Sequence, residues 1–282
     1  MGKCYRAELV GAFGCPIDEN PTGVLEEAGF RAAGLNYRYL TIKVNDGDLK
    51  AAMEAVKVFN MKGINLTIPH KVKVLEYLDE LSPAAEIIGA VNTVINKDGK
   101  LYGENTDGKG FIKSLSDEGV LCDGKMITIL GAGGAARAIA VECALNGAEH
   151  INIINRSSER GTELAHLIEG KTPAKADYIP WTENIPVPNG TDILINATNI
   201  GLYPNVTDAP SIDYDTIADT MVVSDVVFNP PQTPFLQNAA QKGAKTITGL
   251  GMLVNQGALN FTLWTGEDAP YDIMYQALRA EF

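Results

Sequence analysis

A glycine-rich run constrains the fold of this chain more than any other feature. It reads Gly131-Ala132-Gly133-Gly134-Ala135-Ala136 and directly follows the buried-strand pattern of Met126–Leu130. The apolar spacing after it predicts a helix over Ala135–Asn146. A glycine-rich turn between a strand and a helix is typical of a βαβ unit that binds a dinucleotide. We therefore expect an α/β protein with parallel sheets.

The residue types in this turn suit a bound pyrophosphate. Gly131 permits the tight turn, and Gly133 lets the backbone approach the phosphates closely. The helix start at Gly134 and Ala135 offers unpaired N–H groups and a partial positive charge. The alternative interpretation is a glycine-rich turn that binds no ligand.

The end of the next predicted strand, Ile151–Asn155, indicates which dinucleotide is used. A site that prefers NAD usually places an acidic residue there to bind the ribose 2′-hydroxyl. This chain instead has Asn155, Arg156 and Ser157, with Arg160 three residues further on. Two guanidinium groups, a hydroxyl and an amide suit a 2′-phosphate, so we expect NADP as the cofactor. The alternative is that both arginines form a solvated helix start.

Composition excludes several other classes of protein. The chain has 282 residues and a formal net charge of −12, which fits two soluble domains and disfavours a nucleic-acid partner. No apolar run approaches the roughly 18–20 residues of a membrane span. The cysteines form no Cys-x-x-Cys motif and the histidines are scattered, so we expect reduced thiols, a cytoplasmic protein and no metal site. These residues are Cys4, Cys15, Cys122, Cys143, His70, His150 and His166.

Strand-like and helix-like patterns alternate along the whole chain. They predict a first domain at residues 1–105, a second, dinucleotide-binding domain at residues 106–250, and a final helical segment at residues 251–282. The predicted strands are Glu8–Phe13, Asn36–Val44, Gly63–Ile68, Ile151–Asn155, Asp192–Asn196, Met221–Asp225 and Thr246–Thr248, with a hairpin formed by Ala90–Asn96 and Leu101–Gly103. The other predicted helices are Asp48–Phe59, Pro83–Ile88, Ser157–Ile168, Met252–Leu263 and Pro270–Ala280.

Two charged residues stand where a strand or loop meets a helix. Lys71 follows the strand Gly63–Ile68, on the first turn of the next helix, from which an ammonium group can project into a cleft. Asp107 lies at a loop-to-helix junction near the predicted domain boundary. Taken alone, such residues are usually a solvated lysine and a helix cap.

Together with several other stretches, these residues closely resemble the shikimate dehydrogenase family over nearly the whole chain. The matching stretches are Gly14–Ile17, Leu35–Tyr37, Asn65–Lys71, Gly89–Thr93, Asn105–Gly108, Gly131–Ala138, Asn155–Ser157, Asn196–Thr198, Gly249–Gly257 and Phe261–Gly266. The resemblance implies a substrate domain, a Rossmann NADP domain and an active site in the cleft between them. It also implies that the carboxy-terminal helices pack back on the first domain.

The resemblance further implies the activity and the role of each site residue. The expected reaction is 3-dehydroshikimate and NADPH to shikimate and NADP, a step of aromatic amino acid (chorismate) biosynthesis. Lys71 and Asp107 match the catalytic pair; an ammonium beside a carboxylate can protonate the alkoxide that hydride transfer creates. Thr67, Asn92 and Gln256 match positions that hold the substrate's hydroxyls, while Thr198, Gly249 and Met252 match positions near the nicotinamide.

The chain departs from the family pattern at the positions that bind the substrate's carboxylate. Two family serines are replaced by Asn20 and Thr22, and a common tyrosine by Phe228, which has no hydroxyl. Three glutamates, Glu19, Glu26 and Glu27, add negative charge to the first of these segments. If they face the pocket they repel an acid, and if they face water the change has little effect.

Several alternatives stay open at this point. The substrate is shikimate, or else quinate, an aminated analogue or another cyclic polyol. Another two-domain Rossmann reductase, such as a folate methylene dehydrogenase, would share the glycine turn but not Lys71, Asp107 and Gln256. A regulatory protein would bind NADP without turnover. We expect a small-molecule cyclic hydroxy acid or polyol and no nucleic acid or membrane partner, and we leave a homodimer open.

Overall fold

The computed structural model describes residues 5–282, so the predicted free thiol of Cys4 lies outside the described residues. The chain divides into two compact units. The first contains the residues up to Thr106 and the segment Val254–Glu281, and the second contains Asp107–Leu253 with Phe282. Within residues 5–282, no helix is long and apolar enough to cross a membrane.

The first unit contains a mixed sheet in the described part of the chain, ordered β2-β1-β3-β5-β6-β4. Its strands are β1 (Glu8–Gly14), β2 (Tyr37–Lys43), β3 (Gly63–Leu66), β4 (Glu80–Leu81), β5 (Thr93–Lys97) and β6 (Lys100–Glu104). Strand β1 is parallel to β2 and β3, whereas β5 is antiparallel to β3 and β6. The hairpin explains the antiparallel pairing of β5 with β6: Asp98 and Gly99 both have positive φ, and a two-residue turn of this kind joins adjacent strands.

The helices of the first unit cover this sheet and complete its core. They are α1 (Thr22–Ala32), α2 (Leu49–Val58), α3 (His70–Lys73), α4 (Pro83–Ile88), most of α9 (Gly249–Thr265) and α10 (Tyr271–Arg279). Helix α1 packs on α10, and the ring of Phe30 stacks on that of Phe261 at 5.4 Å. Trp264 Nε1 donates a hydrogen bond to the carbonyl of Val94 at 3.1 Å, which joins α9 to the sheet.

The second unit is a parallel α/β domain. Its six-stranded sheet, formed entirely by described residues, has the order β14-β13-β11-β7-β8-β9, and every pair is parallel. These strands are β7 (Met126–Leu130), β8 (His150–Asn155), β9 (Lys175–Pro180), β11 (Ile193–Asn196), β13 (Val222–Asp225) and β14 (Lys245–Ile247); β10 (Ile185–Pro186) pairs separately with β12 (Ile212–Asp213). The helices are α5 (Thr106–Asp117), α6 (Gly134–Leu145), α7 (Ser158–Lys171) and α8 (Pro234–Gln241).

Apolar runs explain why these strands lie in the middle of the domain. Residues 127–130, 151–154 and 193–195 are buried, as expected for strands covered on both faces. The strand order changes direction at β7, and the carboxyl ends of strands on either side of such a point usually bind the ligand. The glycine-rich turn follows β7 directly.

Candidate functional site

The glycine-rich turn after β7 has room for a phosphate group. Gly131 has φ of +108°, and a Cβ there would lie 2.9 Å from Thr198 Cγ2. At Gly133 and Gly134 a Cβ would meet nothing within 4 Å, and both residues are exposed at the start of α6. An open space in front of a twelve-residue helix, with free N–H groups, fits a pyrophosphate. Ala135 lies in the first turn of α6, beside this space.

The loop after β8 presents two arginines to solvent. Asn155 is buried and its Nδ2 donates to the carbonyl of Ser157 at 2.9 Å, which holds the loop. The hydroxyl of Ser157 accepts from the backbone N–H of Arg160 at 3.4 Å and caps α7. Arg156 and Arg160 are both exposed. Their exposure agrees with a phosphate ligand and equally with a solvated helix start, so the predicted role of these residues stays a prediction.

A cavity beside Arg156 was missed by the sequence analysis. Its volume is about 440 Å³, and Trp181 lines it together with Ile200 and Asp208. Trp181 follows β9, and its Nε1 donates to the carbonyl of Ser211 at 3.0 Å, which fixes the ring. Strand β9 was not predicted, so nothing in the sequence placed this tryptophan near Arg156.

A buried carboxylate organises the ends of β11 and β13. Asp225 Oδ1 accepts from Asn196 Nδ2 and from the N–H of Val227, both at 3.0 Å, while Oδ2 accepts from Thr233 Oγ1 at 2.6 Å. Burial raises the pKa of Asp225 to about 6, although these three donors lower it. Thr198 joins the cluster because its hydroxyl donates to Asn196 Oδ1 at 2.7 Å. The cluster thus places Thr198 against the glycine-rich turn.

Three further predicted residues lie in this unit. Gly249 begins α9, and a Cβ there would lie 2.5 Å from the carbonyl oxygen of Val227. Met252 is half-buried on the first turn of the same helix. Phe228 is half-buried, and its ring contacts that of Phe282 at a centroid distance of 5.4 Å.

The predicted catalytic residues belong to different units. Lys71 lies on α3 in the first unit, half-buried, and its carbonyl accepts a hydrogen bond from the N–H of Val91 at 2.8 Å. Asp107 lies in the first turn of α5 and belongs to the second unit. Thr67 is half-buried after β3, where its N–H donates to the carbonyl of Phe13 at 3.0 Å. The proposed pairing of Lys71 with Asp107 stays a prediction.

Two of the predicted hydroxyl-binding residues belong to one buried hydrogen-bond network in the first unit. Asn92 Oδ1 accepts from the N–H of Thr106 at 2.7 Å. Asn260 Oδ1 accepts from Thr93 Oγ1 at 2.8 Å and from Thr106 Oγ1 at 2.9 Å. Asn260 Nδ2 donates to Gln256 Oε1 at 3.1 Å. The network therefore connects Asn92 to Gln256 through side chains that were not predicted as functional, namely Thr93, Thr106 and Asn260.

Tyr39 and Asn65 extend this network. The hydroxyl of Tyr39 donates to Asn65 Oδ1 at 2.9 Å, and Asn65 Nδ2 donates to Thr93 Oγ1 at 3.0 Å. The side chain of Thr22 is buried close to Tyr39; burial is the larger effect on the pKa of the phenol and raises it, whereas Thr22 lowers it. Thr22 was predicted to bind substrate, and it lies beside the network. Asn20, the neighbouring prediction, uses its Oδ1 to accept from the N–H of Thr22 at 2.9 Å and so supports the start of α1.

The three glutamates near α1 have different environments. Glu19 is exposed, and Glu27 Oε1 accepts from the N–H of Tyr39 at 2.7 Å. Glu26 is 0% exposed, and neither carboxylate oxygen has a hydrogen-bond partner in residues 5–282. The interpretation that these glutamates point to water is therefore wrong for Glu26, because α1 turns its side chain into the interior of the unit.

The histidines and cysteines show no convergent site. Among the described residues, no group of three or more His, Cys, Asp or Glu side chains could hold a metal ion. His70 is buried, with Nε2 at 2.8 Å from the carbonyl of Val44, which is a structural contact. Cys122 and Cys143 are buried free thiols in contact with each other.

Three family models match the chain. The shikimate dehydrogenase substrate binding domain matches residues 12–94, shikimate / quinate 5-dehydrogenase matches residues 116–203, and the shikimate 5′-dehydrogenase C-terminal domain matches residues 249–279. A curated relative from Desulforamulus reducens, named shikimate dehydrogenase (NADP(+)), is 42% identical over 100% of this chain and 99% of its own. The chain belongs to the shikimate dehydrogenase family. The predicted family and oxidoreductase type are thus confirmed.

The chain is also similar to solved structures that carry different names. The ligand-free 5-ketofructose reductase of Gluconobacter sp. strain CHM43 is 46% identical, with a TM-score of 0.95, and the match covers 99% of this chain and 100% of that one. The shikimate 5-dehydrogenase from Listeria monocytogenes, solved with shikimate and NAD, is 36% identical, with a TM-score of 0.91 and 96% coverage of both chains. The predicted two-domain α/β fold is confirmed.

Proposed function

We propose that this protein is an NADP-dependent oxidoreductase that interconverts a ketone and a secondary alcohol in a small polyhydroxylated molecule. The observation that carries this proposal is the open glycine-rich turn before α6 in a chain that retains Lys71 and Asp107. The buried network from Asn92 to Gln256 supports it, because amide side chains both donate to and accept from hydroxyls. Arg156 and Ser157, which stand after β8 where an NAD site usually has an acidic residue, support NADP over NAD.

The proposed chemistry assigns one role to each charged group. NADPH, when bound, supplies the hydride. The ammonium group of Lys71 donates a proton to the carbonyl oxygen and stabilises the negative charge that develops there. The carboxylate of Asp107 stabilises the protonated lysine. In the oxidation direction, Lys71 accepts the proton from the alcohol.

Shikimate is the first candidate substrate, because the curated relatives that match the full chain carry its name. This candidate places the protein in the cytoplasmic synthesis of aromatic amino acids. An uncharged polyhydroxy ketone is the second candidate. It is favoured by the 46% identity to a 5-ketofructose reductase and by the replacements at Asn20, Thr22 and Phe228.

The variant Lys71→Ala tests the proposed mechanism, with Lys73→Ala as its matched control. Lys73 lies on the same short helix, where its ammonium pairs with Asp46 Oδ1 at 3.4 Å. Loss of an acid–base group lowers the rate by roughly 10²–10⁴-fold, so Lys71→Ala should lose about this much in kcat. NADPH binding, followed by its fluorescence, should not change.

Wild type and both variants are assayed with NADP⁺ against shikimate and quinate and with NADPH against 5-ketofructose. An unchanged kcat in Lys71→Ala would remove that lysine from the mechanism. Binding of NADPH by the wild type without turnover of any of these compounds would instead support a regulatory protein.

A further inference from the structure

We propose that the cavity beside Arg156 selects the base of the cofactor. Trp181 stacks on an adenine ring there, and the carboxylates of Glu183 and Asp208 accept hydrogen bonds from the exocyclic amino group of that ring. The inference rests on the proposed function, since it concerns the NADP of that same reaction. It gives a specificity role to three residues that take no part in the hydride or proton transfer.

The first observation is the place of this cavity in the second unit. Arg156 follows β8, Trp181 follows β9 and Ile200 follows β11, and all three line the cavity. The glycine-rich turn follows β7, which lies between β8 and β11 in the sheet. These four strands are parallel, and ligands of such sheets bind outside the carboxyl ends of the strands. The cavity therefore lies at the same edge of the sheet as the expected pyrophosphate site.

Short contacts join the cavity wall to the glycine-rich turn. The N–H of Gly131 donates to the carbonyl of Ile154 at 2.8 Å, two residues before Arg156. A Cβ at Gly131 would lie 2.9 Å from Thr198 Cγ2, and the hydroxyl of Thr198 accepts from the N–H of Ile200 at 3.1 Å. The base and the 2′-phosphate of NADP are attached to neighbouring carbons of one ribose. A cofactor held by Arg156 through this phosphate therefore has its base beside the cavity.

The second observation is a fixed aromatic ring in the cavity wall. The N–H of Trp181 donates to the carbonyl of Asn155 at 3.1 Å, and its Nε1 donates to the carbonyl of Ser211 at 3.0 Å. These two bonds hold the indole in place. Indole rings and guanidinium groups both stack on nucleobases. The volume of about 440 Å³ is typical of a small-molecule site, so the cavity suits a flat heteroaromatic group.

The third observation is the charge of the cavity wall. Glu183 and Asp208 line the cavity together with Arg156, so two carboxylates stand against one guanidinium group. Both acids are exposed and open to a ligand. An ionised carboxylate only accepts hydrogen bonds and repels another anion. A phosphate group inside the cavity is therefore disfavoured, whereas an amino group finds two acceptors there. Adenine carries such an amino group, and hypoxanthine has a carbonyl oxygen in its place.

The first experiment measures cofactor binding to the wild type without turnover. NADPH and reduced nicotinamide hypoxanthine dinucleotide phosphate differ only in the base. Because the hypoxanthine cofactor loses a hydrogen bond to a charged acceptor, its Kd should be at least about tenfold higher. The fluorescence of the reduced nicotinamide measures both Kd values. Equal values would overturn the inference.

The second experiment replaces both acceptors in the double variant Glu183→Gln with Asp208→Asn. An amide can donate to the carbonyl oxygen of hypoxanthine as well as accept from the amino group of adenine. The ratio of the two Kd values should therefore fall below about threefold. Glu169→Gln is the matched control, because it removes an exposed carboxylate on α7, and it should keep the wild-type ratio. A double variant that keeps the full ratio would contradict the role of the two acids.

The third experiment uses adenosine 2′,5′-bisphosphate, which has the base and the 2′-phosphate but no nicotinamide. Its binding should quench the fluorescence of Trp181 in the wild type. Trp181→Leu should abolish this quenching and raise the Kd, measured by calorimetry, roughly tenfold, whereas Trp181→Phe keeps an aromatic ring and should raise it less than about threefold. The second tryptophan, Trp264, lies in the first unit and serves as the internal reference. Tight binding without quenching in the wild type would refute the stacking.

The two proposals fail in different ways. An enzyme that reduces a ketone with NADPH but binds the two bases equally would refute the role of the cavity and leave the oxidoreductase intact. A protein that binds NADPH with the expected preference but turns over no ketone or alcohol would refute the proposed function and leave the base-binding cavity intact.

Discussion

The carboxylate of Asp225 offers a prediction whose size follows from its contacts. Asp225 is 1% exposed and accepts three hydrogen bonds, from Asn196 Nδ2, the N–H of Val227 and Thr233 Oγ1. The variant Asp225→Ala leaves all three hydrogens without an acceptor. A buried donor without a partner costs about 1–3 kcal/mol, so for three donors we expect Asp225→Ala to lose roughly 3–9 kcal/mol of unfolding free energy.

Asp225→Asn is the matched variant, because its geometry preserves the contacts. The amide oxygen can accept from Asn196 and Val227, and the amide nitrogen can donate to the hydroxyl of Thr233. We therefore expect a loss of about 1 kcal/mol. Urea unfolding at pH 4, at which the folded wild type holds Asp225 as a neutral carboxyl and the amide is its closest mimic, measures both variants by circular dichroism. Equal losses in the two would refute the assignment of the stability to these three hydrogen bonds.

The pH dependence of unfolding checks the same carboxylate. Burial raises its pKa to about 6, so between pH 4 and 6 the folded state binds more protons at this site than the unfolded state does. The contribution to stability is complete below about pH 4 and is lost as the pH rises through 6. A shift of about two units corresponds to about 3 kcal/mol. The wild type should lose this amount relative to Asp225→Asn between pH 4 and 7, and parallel curves would contradict the raised pKa.

Two further variants test the remaining parts of the site. Arg156→Ala should raise the KM for NADPH roughly 10–100-fold, because it removes a charge-assisted hydrogen bond to the 2′-phosphate. The KM for NADH, which has no 2′-phosphate, should rise less than about twofold. Equal effects on the two cofactors would show that Arg156 does not bind this phosphate. Tyr39→Phe removes the donor to Asn65 Oδ1 and should lower the unfolding free energy by about 1–3 kcal/mol. Thermal unfolding measures this loss, and Tyr5→Phe is the control because the ring of Tyr5 is exposed. A Tyr39→Phe variant as stable as the control would show that the Tyr39–Asn65 hydrogen bond contributes little.

Most strands and many helices could be predicted from the sequence because their apolar patterns are local. Strand β7 has the predicted bounds Met126–Leu130, and the hairpin of β5 and β6 follows from Asp98 and Gly99. Helix α1 was missed, and α5 was predicted only as a helix that begins near Asp107, without an end. Both helices contain glycines, which disfavour a helix, and one glycine in each is needed for close packing. A Cβ at Gly29 would lie 3.2 Å from Met274 Cγ, and one at Gly108 would lie 2.6 Å from Glu142 Cγ.

In the candidate site, too, the features that depend on neighbouring residues in the sequence could be predicted, and those that depend on distant residues could not. The glycine-rich turn and the loop after β8 depend on contiguous residues, so their positions could be predicted. The environment of Glu26 could not, because it depends on the face that α1 turns inward and on the approach of α9 at Gly257. Residues separated by more than two hundred positions in the chain decide whether that carboxylate meets water.

The two-segment construction of the first unit has a consequence for synthesis on the ribosome. The aromatic ring of Phe30 packs on Phe261, which emerges only after residues 107–253 have been translated. At about 5–20 residues per second, those roughly 150 residues take about 7–30 s. For that interval the nascent amino-terminal sheet lacks the carboxy-terminal helices that pack on it, so its apolar surface stays open to a chaperone for a defined time.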